Sequence, residues 1–312
     1  MKNFEEILEE WLNYMEVQVK PSTYACYTRL SRTHIRPFFS GIPVTDINHS
    51  LIASFMTQKL EKGRIDGLGG LSEKTLKDIL SIINSVLKYG EIIYGLKRPA
   101  LLKWRYSNIN KPIEIFSKEE QCILEKYLLH QMNRQKLGIL ICLYSGMRLG
   151  EICALCWNDI DLKNRVFHIR KTVQRIYKND EGKATEIIIG TPKTQSSFRD
   201  IPIASYIWEL LLTHKHLFGR NCCLISEQNR IFLDPRTYQF TYKRFLNDCG
   251  LPYRNFHALR HTFATRCIEK EMDVKSLSEI LGHSNVNITL NRYVHSSLEQ
   301  KRIQIEKLKN IP

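Results

Sequence analysis

Long apolar runs are the first thing this chain lacks. Its 312 residues are 43% hydrophobic, yet no stretch approaches the roughly 20 apolar residues of a membrane-spanning helix, so no membrane association is expected. The opening Met1-Lys-Asn-Phe-Glu-Glu has no apolar core of the signal-peptide kind. Cysteines in a pairing framework are missing too. The nine present are odd in number and scattered among apolar segments, which reads as reduced thiols in a cytoplasmic protein. Only Cys153-Ala-Leu-Cys156 has metal-ligand spacing. It has no second pair and shares an apolar helical pattern with Leu149 and Ile152, so no metal site is expected. Repeats, low-complexity segments and a carboxylate cluster fit for metal catalysis are also missing.

Negative charge is in short supply. Lys plus Arg number 46 against 32 Asp plus Glu, a net charge of +14. Such an excess suits a polyanionic partner, because neutralising phosphates releases condensed counterions.

Phe4, Ile7, Leu8, Trp11, Leu12 and Met15 recur at helical spacing, with glutamates on the other faces. Between Lys20 and Phe39 there is no carboxylate at all, only Lys20, Arg29, Arg32, His34 and Arg36, and Pro21 with Ser22 and Thr23 can open a helix there. This stretch reads either as a nucleic-acid-facing surface or as a solvated charged face. The spacing predicts a further helix from Asp46 to Leu60, a glycine-rich loop at Gly63, Gly67, Gly69 and Gly70, and a long helix from Ser72 with an apolar stripe through Ile93. The first 98 residues therefore read as a four- or five-helix bundle. Residues 99–112 follow as a basic linker; Lys97 and Arg98 just before it and Lys103, Arg105 and Lys111 within it join Lys20, Arg29, Arg32 and Arg36 as candidate phosphate contacts.

Residues 113–312 read as α+β. Ser117-Lys-Glu-Glu120 has the capping-box spacing, and 137–144 is an apolar helix broken at Ser145-Gly146. Segments 165–176, 185–191 and 198–203 have strand composition, the first two joined through Asn179-Asp-Glu-Gly182. The remainder is nearly all helical, giving a mainly α protein with a small antiparallel β-sheet.

Six side chains here can carry chemistry, each ordinary when taken alone. Arg148 sits at a turn before a helix, and Glu151 three residues on can fix its guanidinium. Lys193 lies on a turn between strands. His257 and Arg260, three apart on one helix, share a face. Gly282 can end the 273–281 helix in the left-handed conformation, which aims His283 off its terminus. Asn287 can cap a last short helix bearing Tyr293.

In this order the motifs resemble the catalytic domain of the tyrosine recombinases, or phage-type integrases, over roughly residues 113–300. The helical N-terminal part is more loosely similar to the SAM-like core-binding domain of that family. The resemblance implies DNA strand transfer through a 3′-phosphotyrosyl link, without metal, ATP or other cofactor. It makes Tyr293 the nucleophile, Arg148 and Arg260 the phosphate clamp, His283 a phosphate hydrogen-bond donor, Lys193 the general acid and His257 the proton acceptor of Tyr293. It further implies double-stranded DNA with inverted core sites as partner. The acting form would be a homotetramer on synapsed DNA, with the tail after Tyr293 docking on a neighbouring subunit. An accessory directionality or host DNA-bending protein and a cytoplasmic, nucleoid-associated location complete the expectation. Thr191-Pro-Lys-Thr-Gln-Ser-Ser and Leu290-Asn-Arg-Tyr-Val-His295 look more like integrases of mobile elements than like Xer-type chromosome-dimer resolvases, which stay as the alternative beside a catalytically inactive DNA-binding relative.

Overall fold

The stripe Phe4, Ile7, Leu8, Trp11 and Leu12 forms the buried face of α1 (Phe4–Gln18), leaving its glutamates outside. The structure is a computed structural model that describes residues 2–97, 99, 113–180, 183–191, 195–215, 222–226, 230–293, 302 and 305–306. The chain divides into two compact units, residues 1–110 with 176–186, and residues 111–175 with 187–312.

In the first unit, Pro21 starts α2 (Pro21–Leu30), where its missing N–H costs nothing. The chain continues through a π turn at Ser31–Ile35 into α3 (Arg36–Phe39). Arg36 pairs with Glu9 of α1, so its charge is met within the unit. The helix expected from Asp46 begins only at His49, because the Asn48 side chain accepts from Leu51 N at 3.0 Å and caps α4 (His49–Lys62). Ser72 caps α5 (Glu73–Tyr94) in the same way. The Phe39 ring stands 5.0 Å from both Phe4 and Phe55, at the centre of this all-helical core.

The second unit opens on α6 (Lys118–Leu129), whose capping box between Ser117 and Glu120 is complete. Next comes α7 (Arg134–Ser145), buried on nearly every side and packed by α6 and by helices later in the chain. Each of its fully buried leucines and isoleucines contributes ~1.5–3 kcal/mol. After the one-turn α8 (Leu149–Ile152) the strand reading changes. Segment 165–176 is two strands rather than one, and the sheet is two sheets. β1 (Ile160–Asp161) and β2 (Val166–Ile169) pair antiparallel, and β2 also pairs with β5 (Arg199–Pro202), His168 facing Asp200. β3 (Thr172–Asp180) pairs instead with β4 (Lys183–Gly190), the stretch 176–186 belonging to the first unit. The break falls at Arg170 and Lys171, whose side chains turn to other partners: Arg170 donates to Arg199 O at 2.9 Å, and Lys171 pairs with Asp159 at 3.2 Å.

Five helices complete the unit: α9 (Ser205–Thr213), α10 (Pro235–Asp248), α11 (His257–Glu269), α12 (Val274–Leu281) and α13 (Val286–Tyr293). Asn285, not Asn287, caps α13, accepting from Asn287 N at 2.9 Å. Among the described residues, no helix is long and apolar enough to cross a membrane.

Candidate active site

Two glycines bring the site together. Gly146 ends α7 with φ +63°, and a Cβ there would lie 2.6 Å from Phe263 of α11 and 2.7 Å from Leu281 of α12, so only glycine allows this approach. Gly282 ends α12 with φ +64° and turns the chain toward His283.

The carbonyls of that α12 turn receive three guanidiniums. Ile280 O accepts from Arg199 Nε, Leu281 O from Arg260 Nη2 at 2.7 Å and Gly282 O from Arg148 Nη2 at 2.9 Å. A helix C-terminus leaves its last carbonyls unpaired at the negative end of the helix dipole, which suits cations. Arg260, only 1% exposed, also donates to Gly146 O at 2.8 Å, the corresponding end of α7.

Glu151 is the counter-charge. Its buried carboxylate accepts from Arg199 at 2.9 and 2.8 Å, from Arg148 Nη1 at 2.9 Å and from Arg148 N at 2.8 Å. Burial works to raise its pKa, but the bonds and charges of Arg199 and Arg148 prevail and hold it at about 2. The reach of Glu151 back to Arg148 was legible in the spacing; the pairing with Arg199, from a distant strand, was not.

His283 Nε2 stands 2.9 Å from Arg260 Nη2, and Nδ1 stands 2.8 Å from Thr289 Oγ1 of α13. Arginine can only donate, so Nε2 accepts and Nδ1 carries the hydrogen. His283 therefore accepts from Arg260 at Nε2 and donates from Nδ1 to Thr289 Oγ1. Burial, Arg260 and Arg148 lower its pKa to about 3.

Tyr293, 8% exposed, packs with Ala264, Cys267, Leu277 and Leu281. Its hydroxyl lies 2.7 Å from Nδ1 of His261, a residue that no motif spacing singled out. His257, assigned to Tyr293 by resemblance, stands one helical turn earlier with its ring perpendicular to that of His261, centroids 4.6 Å apart. One edge of His257 is open to solvent, yet the surrounding protein and then Arg260, Arg292 and Arg148 lower its pKa to about 4. Burial and neighbouring positive charge bring His261 to about 3. Burial raises the phenol of Tyr293, against the opposing pull of Arg260, Arg292 and Arg148.

The site therefore unites Arg148, Glu151, Arg260, His283 and Tyr293, with His257 at its edge and Arg199, His261 and Arg292 added. Lys193, Arg98, Lys103, Arg105 and Lys111 lie outside the described residues, as does most of the tail after Tyr293. Lys20, Arg29, Arg32 and Lys97 are exposed.

These pKa directions predict an acid-sensitive free protein. An unfolded chain takes up protons at its histidines near pH ~6.5, whereas the folded site keeps His257, His261 and His283 neutral to about 4, 3 and 3. Stability is then complete above that unfolded pKa and falls as pH drops below it, because the unfolded state binds more protons. Thermal midpoints measured from pH 8 to pH 5 should be level at the alkaline end and decline below about pH 6.5; a midpoint that rises toward pH 5 would refute the neutral assignment.

Comparison with known proteins places this geometry. Residues 118–300 match the model described as the phage integrase family, and residues 3–60 match its N-terminal SAM-like domain. The chain is 29% identical to a tyrosine recombinase XerC-like protein of Caldanaerobacter subterraneus subsp. tengcongensis, over 98% of this chain and 82% of that one. It is 23% identical to the ICEBs1 integrase of Bacillus subtilis, over 99% and 83% of the two chains. A structure of the Tn1549 transposon integrase in complex with a circular intermediate DNA is similar in fold, with a TM-score of 0.80 at 21% identity, covering 99% of this chain and 100% of that one. The expected fold class, a helical SAM-like domain followed by an α+β catalytic domain, agrees with these matches.

Proposed function

The chain belongs to the phage integrase family and is a tyrosine-type site-specific recombinase; from that premise we propose that it integrates and excises a mobile element. The observation that carries the catalytic reading is the placement of the Tyr293 hydroxyl in the same cluster as two guanidiniums, Arg148 and Arg260, held on one α12 turn. A guanidinium has five N–H donors. The bonds of Arg260 to Gly146, Leu281 and His283 use three of these, leaving two to face a phosphate.

In the proposed step, Tyr293 Oη attacks the scissile phosphorus. The O–P bond forms as the bond from phosphorus to the 5′ oxygen breaks. The phenol proton passes to His257, and the 5′ oxygen takes a proton from Lys193, a role resting on the resemblance alone. Arg148 and Arg260 neutralise the non-bridging oxygens where charge accumulates. His283 joins them once the phosphate draws Arg260 Nη2 away and raises the histidine's pKa, freeing Nε2 to carry a proton. A 5′-hydroxyl from a partner strand reverses the sequence, and the ester keeps the bond energy throughout.

We read residues 1–98 as the core-binding domain, 99–112 as linker and 113–312 as catalytic domain with its tail. The separate matches of 3–60 and 118–300 support this division. Exposed Lys20, Arg29, Arg32 and Lys97 would contact phosphates of a core site. Inverted core sites, a homotetramer on synapsed DNA and an accessory bending or directionality protein belong to the same proposal. A lambda integrase tetramer bound to a Holliday junction, similar in fold at a TM-score of 0.66 and 17% identity over 96% of this chain and 80% of that one, is consistent with it.

The XerC-like relative favours chromosome-dimer resolution as the second reading. A core-site duplex nicked so that cleavage releases a short strand, incubated with the protein in EDTA, should accumulate a covalent adduct that maps to Tyr293. Presenting mobile-element ends beside a chromosomal resolution site separates the two readings, since only the cognate site should yield the adduct.

A further inference from the structure

His261 lies outside the roles assigned so far, yet it is the side chain bonded to the nucleophile. It follows His257 by four residues on α11, so both face the same side of that helix. Its Nδ1 is 2.7 Å from Tyr293 Oη, in a buried contact whose rings are tilted 53° with centroids 5.7 Å apart. Its other nitrogen, Nε2, meets Arg292 Nη2 in a long contact of 3.4 Å.

Arginine has no acceptor, so in this contact the imidazole nitrogen accepts. A neutral ring accepting at Nε2 carries its hydrogen at Nδ1. The hydrogen bond to the tyrosine then runs from His261 to the phenol oxygen, and the phenol's own hydrogen is left to point elsewhere. A hydrogen bond of this direction favours the charged form of the oxygen.

We propose that His261 is a catalytic residue for the recombinase reading above: its Nδ1–H, fixed by Arg292 on the opposite nitrogen, stabilises phenolate character on Tyr293 during attack and again when the tyrosine leaves. The assignment divides the two histidines of α11. His261 donates to the nucleophile and keeps its proton throughout, while His257, edge-on to it and open to solvent, takes the phenol proton on cleavage and returns it on religation. The 5′ oxygen still takes its proton from Lys193, and no electron is transferred, because the P–O bond made and the P–O bond broken exchange within the same step. The groups facing His261 are His257 and Arg260 on its own helix, Arg292 and Tyr293 on α13, and His283 on the turn between α12 and α13. All are neutral or positive, which disfavours a second proton on the ring and holds it in the donating neutral form.

Three proteins test this on the nicked core-site duplex: wild type, His261→Leu and His261→Asn. Leucine fills the space without a donor, whereas the asparagine amide can place an N–H near the position of Nδ1. His261→Leu should form the covalent adduct roughly 10²- to 10³-fold more slowly, the usual cost of losing one donor to a developing oxyanion, with DNA retention unchanged. His261→Asn should stay within about tenfold of wild type. A leucine variant at the wild-type rate, or an asparagine variant as slow as leucine, overturns the proposal, the latter because the ring would then be needed as a base. If leucine fails to fold, the asparagine variant alone decides. Absence of the adduct from wild type would instead overturn the recombinase reading beneath it.

Discussion

Tyr293→Phe should abolish covalent attachment to DNA, by about 10⁴-fold or more, while the protein still binds its core site. The substitution removes one oxygen and little else. The ring would keep its packing against Ala264, Cys267, Leu277 and Leu281, so the fold should persist. What is lost is the proposed nucleophile and the 2.7 Å bond to His261, whose unpaired Nδ1 costs about 1–3 kcal/mol of stability. The proposed phosphate clamp is held by other bonds: Arg260 rests on Gly146 and Leu281, and Arg148 on Glu151 and Gly282. Adduct formation on the nicked duplex and retention on native gels separate chemistry from binding. Any cleavage by the phenylalanine protein would sink the assignment of the nucleophile.

Glu151→Ala should be the most damaging substitution for stability. The carboxylate is the shared partner of Arg199 and Arg148, and Arg199 is itself buried, at 8% exposed. Removing one member of a buried pair leaves an uncompensated charge, at about 3–5 kcal/mol. In a unit of this size that lowers the thermal midpoint by about 6–20 °C. Because Arg199 also holds Ile280 O, the turn bearing His283 should loosen, and cleavage should slow along with it. Combining Glu151→Ala with Arg199→Met removes both charges and should recover part of the lost midpoint, a coupling that a purely steric role for Glu151 would not produce. The same carboxylate gives an acid limit. Its folded pKa of about 2 lies below the ordinary carboxyl value of 4.5, so its contribution is complete above that value and is lost as pH falls from there toward 2. A Glu151→Ala protein melting with wild type would refute the network.

Much of the site was legible because its parts are local. Arg148 and Glu151 are three residues apart at a helix start, and His257 and Arg260 are three apart on a helix face. Gly282 stops α12 immediately before His283. In each case backbone geometry alone fixes the neighbourhood. Helix placement succeeded in the same way, from apolar periodicity and caps such as Ser117 with Glu120. The strands were harder. Segment 165–176 carries one uninterrupted β composition, yet β2 takes β1 and β5 as neighbours while β3 takes β4, a division that composition does not record. The cap of α13 shifted from Asn287 to Asn285 because either asparagine could serve locally, and the helix start chose between them.

The sequence by itself determined which candidate catalytic groups this protein carries, and in what order along the chain, since motif spacing is a property of single helices and turns. Tertiary structure alone decided which of those groups meet. His261 reaches Tyr293 across 32 residues, Arg199 reaches Glu151 across 48, and three guanidiniums converge on the carbonyls of residues 280–282. The physical reason is that a buried charge or a buried phenol must find a partner wherever packing provides one. That partner is set by how α7, α11, α12 and α13 pack together, which no local pattern records.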